Sequence, residues 1–214
     1  MVHRRSIDGT PIVLGNQGAL WGNAMTWWDH ETGSVWSQPL GEAILGPLTG
    51  TRLELLSSTL TTWDDWRAQH PSTLALDAPG GQSRFDAETL DTVAVVVELG
   101  PDSMAFPIAD VRLAGVANAE VGGTPVAVVV DPVTGRWAVF SRWVDDQMVD
   151  LELVDGVLSE LGGTGRFDPA SGAGLEGDAA LDRLPGFTSF PGDYATFWPD
   201  GVFWTIQGLV PATS

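Results

Sequence analysis

Residues 32–66 read TGSVWSQPLGEAILGPLTGTRLELLSSTLTTWDDW, and residues 163–197 read GTGRFDPASGAGLEGDAALDRLPGFTSFPGDYATF. The two stretches align without a gap when the chain is shifted by 131 positions. Glycines, aromatic residues and three other identical residues coincide in this register. The glycine pairs are Gly41 with Gly172 and Gly46 with Gly177, and the aromatic pairs are Trp36 with Phe167, Trp63 with Tyr194 and Trp66 with Phe197. The other identical pairs are Arg52 with Arg183, Leu53 with Leu184 and Ser58 with Ser189. Because glycines fix special backbone positions and aromatic rings fill core volume, the agreement predicts two diverged copies of one strand–turn–strand–short-helix unit, related by an approximate twofold.

The match continues upstream at a slightly different offset. Arg5 aligns with Arg142 and Asp8 with Asp145 at 137 positions, which implies a six-residue length difference in one loop. Residues 77–91 carry proline, glycines and mixed charges without an apolar period, which is typical of a linker. The sequence therefore predicts a first lobe at residues 1–76, this linker, and a second lobe at residues 92–214, folded as one compact unit.

Most of the chain has the pattern of short strands. Residues 92–99 (TVAVVVEL) and 124–130 (TPVAVVV) are β-branched runs bounded by Gly-Pro and Asp-Pro, which predicts strands buried on both faces. Residues 149–157 (VDLELVDGV) alternate in polarity, which predicts one half-buried strand. Short helices are expected at residues 62–69 and at residues 107–115, the second with proline in its first turn. The fold class is β-rich, between all-β and α+β.

Composition excludes several classes of function. The chain has 28 acidic and 10 basic residues, all of the latter arginine, and a formal net charge of -18. Phosphate backbones require a basic surface, so no nucleic-acid partner is expected. The absence of cysteine excludes thiol catalysis, thiolate metal sites and disulfides. No apolar stretch reaches the length of a membrane span or a signal peptide, so neither is expected in this chain.

Three segments carry a recognisable pattern. Residues 27–53, 61–76 and 106–142 read WWDHETGSVWSQPLGEAILGPLTGTRL, TTWDDWRAQHPSTLAL and FPIADVRLAGVANAEVGGTPVAVVVDPVTGRWAVFSR. Together they resemble a bacterial and archaeal family, the domain of unknown function three-one-seven-nine, whose members carry two copies of this unit. The resemblance covers nearly the whole chain and implies an architecture but no mechanism. Since family members are often exported, it also implies an extracytoplasmic location.

The resemblance has one departure. In that family each copy begins with a helix, an asparagine-containing turn and a V-G-G-x-P-V strand, and the first copy adds a cysteine-bearing turn. The second copy here keeps Asn118, Gly122, Gly123 and Pro125, while the first copy starts only at Val2. The resemblance therefore implies an N-terminally shortened member to which no cysteine chemistry carries over.

Residues 27–36 place two carboxylates, one histidine and three tryptophans within ten positions. Asp29, His30 and Glu31 are candidates for cation binding or proton relay beside aromatic stacking surfaces. The same spacing also suits a hairpin turn, in which Asp29 accepts backbone N–H groups and Gly33 takes a positive φ. The turn explains both of these residues without a ligand.

The predicted helix at residues 62–69 is a second candidate. Its i, i+3, i+4 and i+7 spacing places four side chains on one face: Trp63, Trp66, Arg67 and His70. That face either lines a pocket, with His70 as a base and Arg67 holding an anion, or packs against the core. Packing is the commoner role of such a stripe, with acids such as Asp64 favoured in the first turn by the helix dipole.

Three functions stay open on the sequence alone. The first is a binding module for a small polar ligand or carbohydrate, with a groove between the lobes formed by aromatic and polar side chains: Trp27, Trp28, His30, Trp36, Trp63, Trp66 and Arg67. The second is a glycoside-type hydrolase that pairs Asp29 or Glu31 with Asp64 or Asp65. The third is a metal-dependent enzyme that uses His30, His70 and a neighbouring acid. The sequence identifies no cofactor, no defined metal-ligand set and no oligomeric state.

Overall fold

The structure is a computed structural model that describes residues 1–58, 63–75, 90–177 and 179–213. Short strands dominate these residues, so the β-rich class is confirmed. The three seven-residue helices that lie wholly within the described ranges are α1 (Trp63–Gln69), α2 (Ile108–Ala114) and α3 (Pro191–Phe197). The predicted linker lies outside the described residues except for its last two positions, and the predicted capping residues of the first helix, Thr61 and Thr62, lie outside them altogether.

The first half of the chain forms two antiparallel sheets. A two-stranded hairpin is followed by a four-stranded sheet in the order β3-β4-β5-β6. The strands are β1 (Ser6–Ile7), β2 (Thr10–Pro11), β3 (Leu14–Trp21), β4 (Ala24–Asp29), β5 (Val35–Ser37) and β6 (Glu42–Leu45).

The second half contains four sheets. Their orders are β17-β7-β8-β18-β19, β11-β10-β9, β12-β13 and β14-β15-β16. The strands are β7 (Ala94–Leu99), β8 (Asp102–Pro107), β9 (Val116–Val121), β10 (Thr124–Val130), β11 (Trp137–Ser141), β12 (Trp143–Val144), β13 (Gln147–Met148), β14 (Leu151–Val154), β15 (Val157–Glu160), β16 (Arg166–Phe167), β17 (Phe187–Ser189), β18 (Val202–Thr205) and β19 (Gly208–Pro211).

β7 and β10 form the centre of the core. Both come from the β-branched runs, and nearly all their residues are buried, as the absence of polar alternation predicts. Side chains of β7 and β10 and of α2 share one hydrophobic cluster, which includes Val95, Val128 and Ile108. The helix expected at residues 107–115 is confirmed, with Pro107 and Gly115 as its two caps.

Residues 149–157 differ from the single strand that the alternation predicts. Leu151 is buried and Glu152 exposed as expected, but the strand β14 ends at Val154. Asp155 and Gly156 both take positive φ values, 49° and 78°, and form the turn of the β14–β15 hairpin. The Asp-Gly dipeptide favours a hairpin turn. It therefore ends the strand even though apolar and polar residues continue to alternate on both sides of it.

Asn118 also lies elsewhere than the family pattern implies. It is part of strand β9 rather than a turn. Its side-chain amide donates to the carbonyl of Leu151 at 2.8 Å and accepts the Leu151 N–H at 3.0 Å. Asn118 thereby substitutes for a backbone partner and joins β9 to β14.

The hairpins of the two halves pair their strands in the same register. Equivalent cross-strand pairs are Ser6–Pro11 and Trp143–Met148, Leu14–Asp29 and Leu151–Glu160, Gly15–Trp28 and Glu152–Ser159, and Trp27–Trp36 and Leu158–Phe167. Asn16 pairs with Trp27, whereas Leu153 pairs with Leu158, so the first hairpin is six residues longer. The length difference that the two sequence offsets predict therefore lies in the β3–β4 hairpin.

Beyond the turn that contains Gly46, similar backbone bonds in the two halves are separated by fewer positions than the ungapped alignment predicts. The Leu53 N–H donates to the Gly41 carbonyl at 2.8 Å, and the equivalent bond joins Leu181 N–H to the Gly172 carbonyl at 2.9 Å. The backbone bridge between Glu42 and Arg52 likewise has its counterpart between Ala173 and Ala180. In these bonds Ala180 takes the place of Arg52, and Leu181 takes the place of Leu53. The segment between the bonded residues is three positions shorter in the second half.

The helices α1 and α3 lie 128 positions apart. They have equal length, and each is continued by a backbone bond of 2.8 Å, from His70 to Trp66 and from Trp198 to Tyr194. At this offset Trp66 aligns with Tyr194, and His70 aligns with Trp198. The two helices differ in burial, because Tyr194 is fully buried whereas Trp66 is 38% exposed.

Candidate functional site

Asp29 is committed to its own hairpin turn. Asp29 is fully buried, and its carboxylate accepts hydrogen bonds from Trp36 Nε1 at 2.9 Å and from the backbone N–H and hydroxyl of Thr32. Burial acts to raise the pKa of Asp29, but the hydrogen bonds from Trp36 and Thr32 outweigh it and hold that pKa below its ordinary value. Gly33 takes a φ of 71°, as the turn interpretation requires. The carboxylate has no contact with solvent and is not placed to meet a ligand.

The neighbours of Asp29 lie at the surface of the four-stranded sheet. The rings of Trp28 and His30 stack with centroids 4.2 Å apart and planes 9° from parallel. The Glu31 carboxylate accepts the backbone N–H of Val13 at 3.1 Å. Trp36 is fully buried and Trp27 packs beside it, in the core cluster of the first half.

The candidate residues of α1 lie in a different environment. Trp63, Asp64 and Arg67 are exposed. The Trp66 and His70 rings contact each other, with centroids 4.0 Å apart, and both line a cavity shared with the second half. The structure therefore brings Trp28 to His30 and Trp66 to His70, and the buried Asp29 joins neither pair.

A cavity of about 510 Å³ lies between the two halves of the chain. Leu40 and Arg52 line it from the first half, and the β7–β8 hairpin and the residues after α3 line it from the second. The hairpin turns at Gly100 and Pro101, so Glu98 and Asp102 lie on either side of one tight turn at the cavity wall. None of the aromatic side chains predicted to line a groove between the lobes lines this cavity.

An ion pair across the halves forms the centre of this cavity. Arg52 Nη1 donates to Glu98 Oε1 at 2.7 Å, while Arg52 Nε donates to Glu42 Oε2 at 2.7 Å. The indole of Trp198 lies close enough to Glu98 to favour its charged form. The Glu98 side chain is only 16% exposed, against 50% for Arg52. Glu98 is therefore a nearly buried carboxylate held by the Arg52 guanidinium.

Burial is the largest influence on the charge of Glu98. Removing the carboxylate from water raises the pKa of Glu98, and the opposing effect of the Arg52 guanidinium and of Trp198 does not fully cancel that rise. A carboxyl with a raised pKa inside a cavity is a recurrent feature of functional sites, although structural ion pairs produce the same shift.

Tyr194 contacts residues that line the cavity. Its hydroxyl contacts Ser103 Oγ at 3.1 Å and donates to the Val202 carbonyl at 3.2 Å. A Cβ at Gly201 would lie 2.1 Å from that hydroxyl oxygen, so the chain passes over Tyr194 only because residue 201 is glycine. Burial raises the pKa of Tyr194, and the hydroxyl therefore stays protonated at neutral pH.

The rim of the cavity is acidic. Asp102, Glu120 and Asp200 lie around Glu98, and Arg52 is the single basic residue of the lining. With four carboxylates against one guanidinium, the cavity favours neutral or cationic ligands over anions. Phe197 and Trp198 add aromatic surface to the wall.

Sequence reasoning did not single out Glu98, Trp198 or Asp200. One signal was present, because Glu98 is the only charged residue in an otherwise apolar run that ends at Gly-Pro. A charge at the end of a strand buried on both faces requires a partner. The partner, Arg52, comes from the other half of the chain, and its position depends on how the halves pack.

The comparisons with known proteins support the resemblance for part of the chain. The model of the family described as "Protein of unknown function (DUF3179)" matches residues 1–93. Residues 1–93 are therefore similar to this family, and the match does not extend over the second half. No curated protein and no solved structure matches the chain. The match includes Arg52 and Leu40 of the cavity and ends before Glu98, and the family description names no activity.

Two further observations bear on function. Among the described residues, no group of three histidine, aspartate or glutamate side chains is arranged to hold a metal ion. None of the helices in the described ranges is long and apolar enough to cross a membrane.

Proposed function

We propose that this protein is a binding module for a small polar ligand, a carbohydrate or another neutral or cationic polyhydroxylated molecule, held in the cavity between the two halves. The cavity itself is the observation that carries the proposal. Its volume of about 510 Å³ falls within the range of small-molecule sites, and it combines apolar walls with a few converging polar groups.

The chemistry of the lining matches hydroxyl groups. Sugar hydroxyls donate to carboxylates and accept from guanidinium N–H groups, and both kinds of group are fixed at 2.7 Å from each other in the Arg52–Glu98 pair. Because Arg52 holds Glu98 in place before any ligand arrives, a ligand would not have to order this side chain on binding. The acidic rim repels anionic competitors.

We also infer that the two halves are diverged copies related by an approximate twofold, which explains why the site lies at their junction. The equal strand registers and the shared 128-position offset of α1 and α3 support this inference. In a twofold arrangement each copy offers the same surface to the other. Leu40 meets the residues after α3 in one cavity, and its counterpart Ser171 meets the residues after α1 in another.

A hydrolase of the glycoside type is the second candidate, and one observation favours it. Glu98 has a raised pKa within a cavity that contains other carboxylates, which is what a general acid requires. Release of the chromophore from aryl glycosides by the full chain, abolished in Glu98→Gln, would favour this candidate over simple binding.

The binding proposal is tested on the full chain with a glycan array and a panel of small amines, followed by calorimetric titration of the ligands retained. We expect Asp200→Asn and Glu98→Gln each to weaken binding by about tenfold or more, as loss of a hydrogen bond to a charged group does. Glu176→Gln is the matched control, since it removes an acid that is 71% exposed and lies outside this cavity.

Two results would overturn the proposal. One is silence across the array and the amine panel. The other is a ligand whose affinity falls equally in the cavity variants and in Glu176→Gln, because that pattern would reflect net charge and not the cavity.

A further inference from the structure

A second cavity, of about 330 Å³, lies between α1 and the second half of the chain. Trp66 and His70 line it from the first half, and Arg136, Ser171 and Arg183 line it from the second. It is the counterpart of the first cavity, because His70 corresponds to Trp198 and Ser171 to Leu40. The two cavities differ in charge. Four carboxylates line the first cavity, whereas two arginines line the second.

The two arginines are close enough to disturb each other. Burial lowers the pKa of Arg183, and the positive charge of Arg136 lowers it further. Neither guanidinium forms an ion pair with any residue that the structure describes. In a chain with 28 acidic residues and only ten arginines, two neighbouring arginines without a paired carboxylate form a distinct positive spot.

Each of these guanidinium groups carries five N–H donors. Within the described residues, Arg183 uses one of them on the Ala170 carbonyl at 3.2 Å, and no side-chain bond from Arg136 is formed. Among the described residues, the other donors of both groups have no acceptor and can meet one that enters the cavity.

The one described acid that lines the cavity, Asp168, is engaged by a turn. Asp168 Oδ1 accepts from the backbone N–H groups of Ala170 and Ser171 at 3.1 Å and 2.7 Å, and from the Ser171 hydroxyl at 2.7 Å. Burial acts to raise the pKa of Asp168, but the hydrogen bonds from Ser171 and Ala170, with a smaller contribution from the positive charge of Arg136, hold that pKa low. Counting the charged side chains of the lining, the two arginines exceed the single Asp168 carboxylate by one positive charge.

We propose that this cavity binds a small anion through a carboxylate or phosphate group, with Arg136 and Arg183 as its principal donors. Guanidinium groups match the planar oxygens of a carboxylate and the oxygens of phosphate, and such charge-assisted bonds are about twice as strong as neutral ones. His70 supplies a ring nitrogen beside Trp66, whose own N–H is occupied by the Thr73 hydroxyl at 3.1 Å. This site does not depend on the function proposed for the first cavity.

The test is calorimetric titration of the full chain with sodium phosphate, and separately with sodium glucuronate, using glucose as the uncharged control. We expect saturable binding of at least one of the two anions and none of glucose in this cavity. Phosphate without glucuronate would assign the site to phosphate, and the reverse would assign it to carboxylates. Failure of both anions to bind would overturn the proposal.

Variants locate the binding. Arg183→Gln and Arg136→Gln should each weaken anion binding about tenfold or more. Arg183→Lys should lose less affinity than Arg183→Gln, because lysine keeps the positive charge but lacks the two-pronged donor geometry of arginine. Arg166→Gln is the control, an arginine of the second half that is 50% exposed and pairs loosely with Glu176 at 3.5 Å. Equal losses in Arg166→Gln and in the two cavity variants would also overturn the proposal. Thermal unfolding of each variant checks that the fold is retained.

Discussion

Arg5 and Arg142 make the same two hydrogen bonds at positions 137 residues apart. Arg5 Nη1 donates to the Ile12 carbonyl at 2.8 Å, and the Ile12 N–H returns a bond of 3.0 Å to the Arg5 carbonyl. Arg142 Nη1 donates to the Val149 carbonyl at 3.1 Å, and the Val149 N–H returns a bond of 2.9 Å. Each arginine therefore closes the base of its hairpin, β1–β2 or β12–β13.

The two arginines differ in burial, which leads to the first prediction. Arg142 is 7% exposed and also donates to the Ala119 carbonyl at 3.1 Å, whereas Arg5 is exposed. Arg142→Met should lower the free energy of unfolding by about 3 kcal/mol because it leaves buried carbonyls without a donor. Arg5→Met should cost less than about 1 kcal/mol. Urea denaturation followed by tryptophan fluorescence measures both, and equal losses would contradict the assigned difference.

The arginine pairs show how far sequence alone reaches in this chain. Arg5 and Arg142 are matched in the sequence alignment, and their hydrogen bonds are also alike. Arg52 and Arg183 are matched in the same way, yet their backbone bridges differ, since Arg52 pairs with Glu42 and Arg183 pairs with Phe140. Matching glycines and aromatic residues cannot show where an alignment needs a gap if identical residues also coincide by chance beyond that position.

The cavity between the two halves contains none of the candidate site residues that the sequence singled out. Junctions between packed units are favourable places for cavities, and that expectation needs no coordinates. The lining of this cavity was not predictable, because Trp36, a prominent candidate, fills the core of the first half, while Glu98 meets Arg52 only after the halves pack. Tertiary packing between segments distant in sequence decides which polar side chains converge.

The second prediction concerns the buried carboxylate of Asp29. Its pKa lies below the ordinary value of 3.8, so its contribution to stability is present above that value and is lost as the pH falls through the folded-state pKa. Asp29→Asn should destabilise the protein by about 1–3 kcal/mol at neutral pH, since an amide cannot accept from both Trp36 and Thr32 with the same atoms.

The pH dependence of the unfolding free energy distinguishes the contribution of the Asp29 carboxylate from those of exposed carboxylates. The difference in unfolding free energy between the native chain and Asp29→Asn should shrink below pH 3.8, as measured by urea denaturation at a series of pH values. Asp64→Asn is the control, because Asp64 is exposed on α1. A difference that stays constant down to the acid limit would refute the assigned hydrogen bonds.

The third prediction tests the close approach of Gly201 to Tyr194. A Cβ at residue 201 would lie 2.1 Å from the Tyr194 hydroxyl oxygen and 2.7 Å from the ring carbon that bears it. Gly201→Ala should therefore cost about 1–3 kcal/mol through overpacking. Thermal unfolding measures the loss. The matched control is Gly192→Ala, where nothing lies within 4 Å of the added carbon.

A double variant identifies the clashing group. Tyr194→Phe alone should cost about 1 kcal/mol, since it removes the hydrogen bonds to Ser103 and to the Val202 carbonyl. Combined with Gly201→Ala, the loss should be smaller than the sum of the two single losses because the hydroxyl that clashes is gone. Strict additivity would show that the two residues do not contact each other in this way.

The fourth prediction concerns the ion pair between Arg52 and Glu98. Glu98 has a pKa above its ordinary value of 4.5, so its contribution to stability is complete below that value and is lost as the pH rises through the folded-state pKa. Arg52 opposes this rise. Arg52→Gln should raise the pKa of Glu98 further, and its cost should grow with pH.

We expect Arg52→Gln to cost about 1 kcal/mol at neutral pH, a modest value because half of the arginine side chain is exposed. The cost should be smaller below pH 4.5, where Glu98 is protonated and needs no countercharge. In a Glu98→Gln background, the pH-dependent cost of Arg52→Gln that comes from Glu98 should disappear. The cost that comes from Glu42 should remain, since Arg52 also bonds Glu42 at 2.7 Å. Urea denaturation of the four chains at several pH values measures this coupling. If the cost of Arg52→Gln depended on pH equally in both backgrounds, Glu98 would not be the group that titrates, and the ion pair across the halves would not have the role assigned to it.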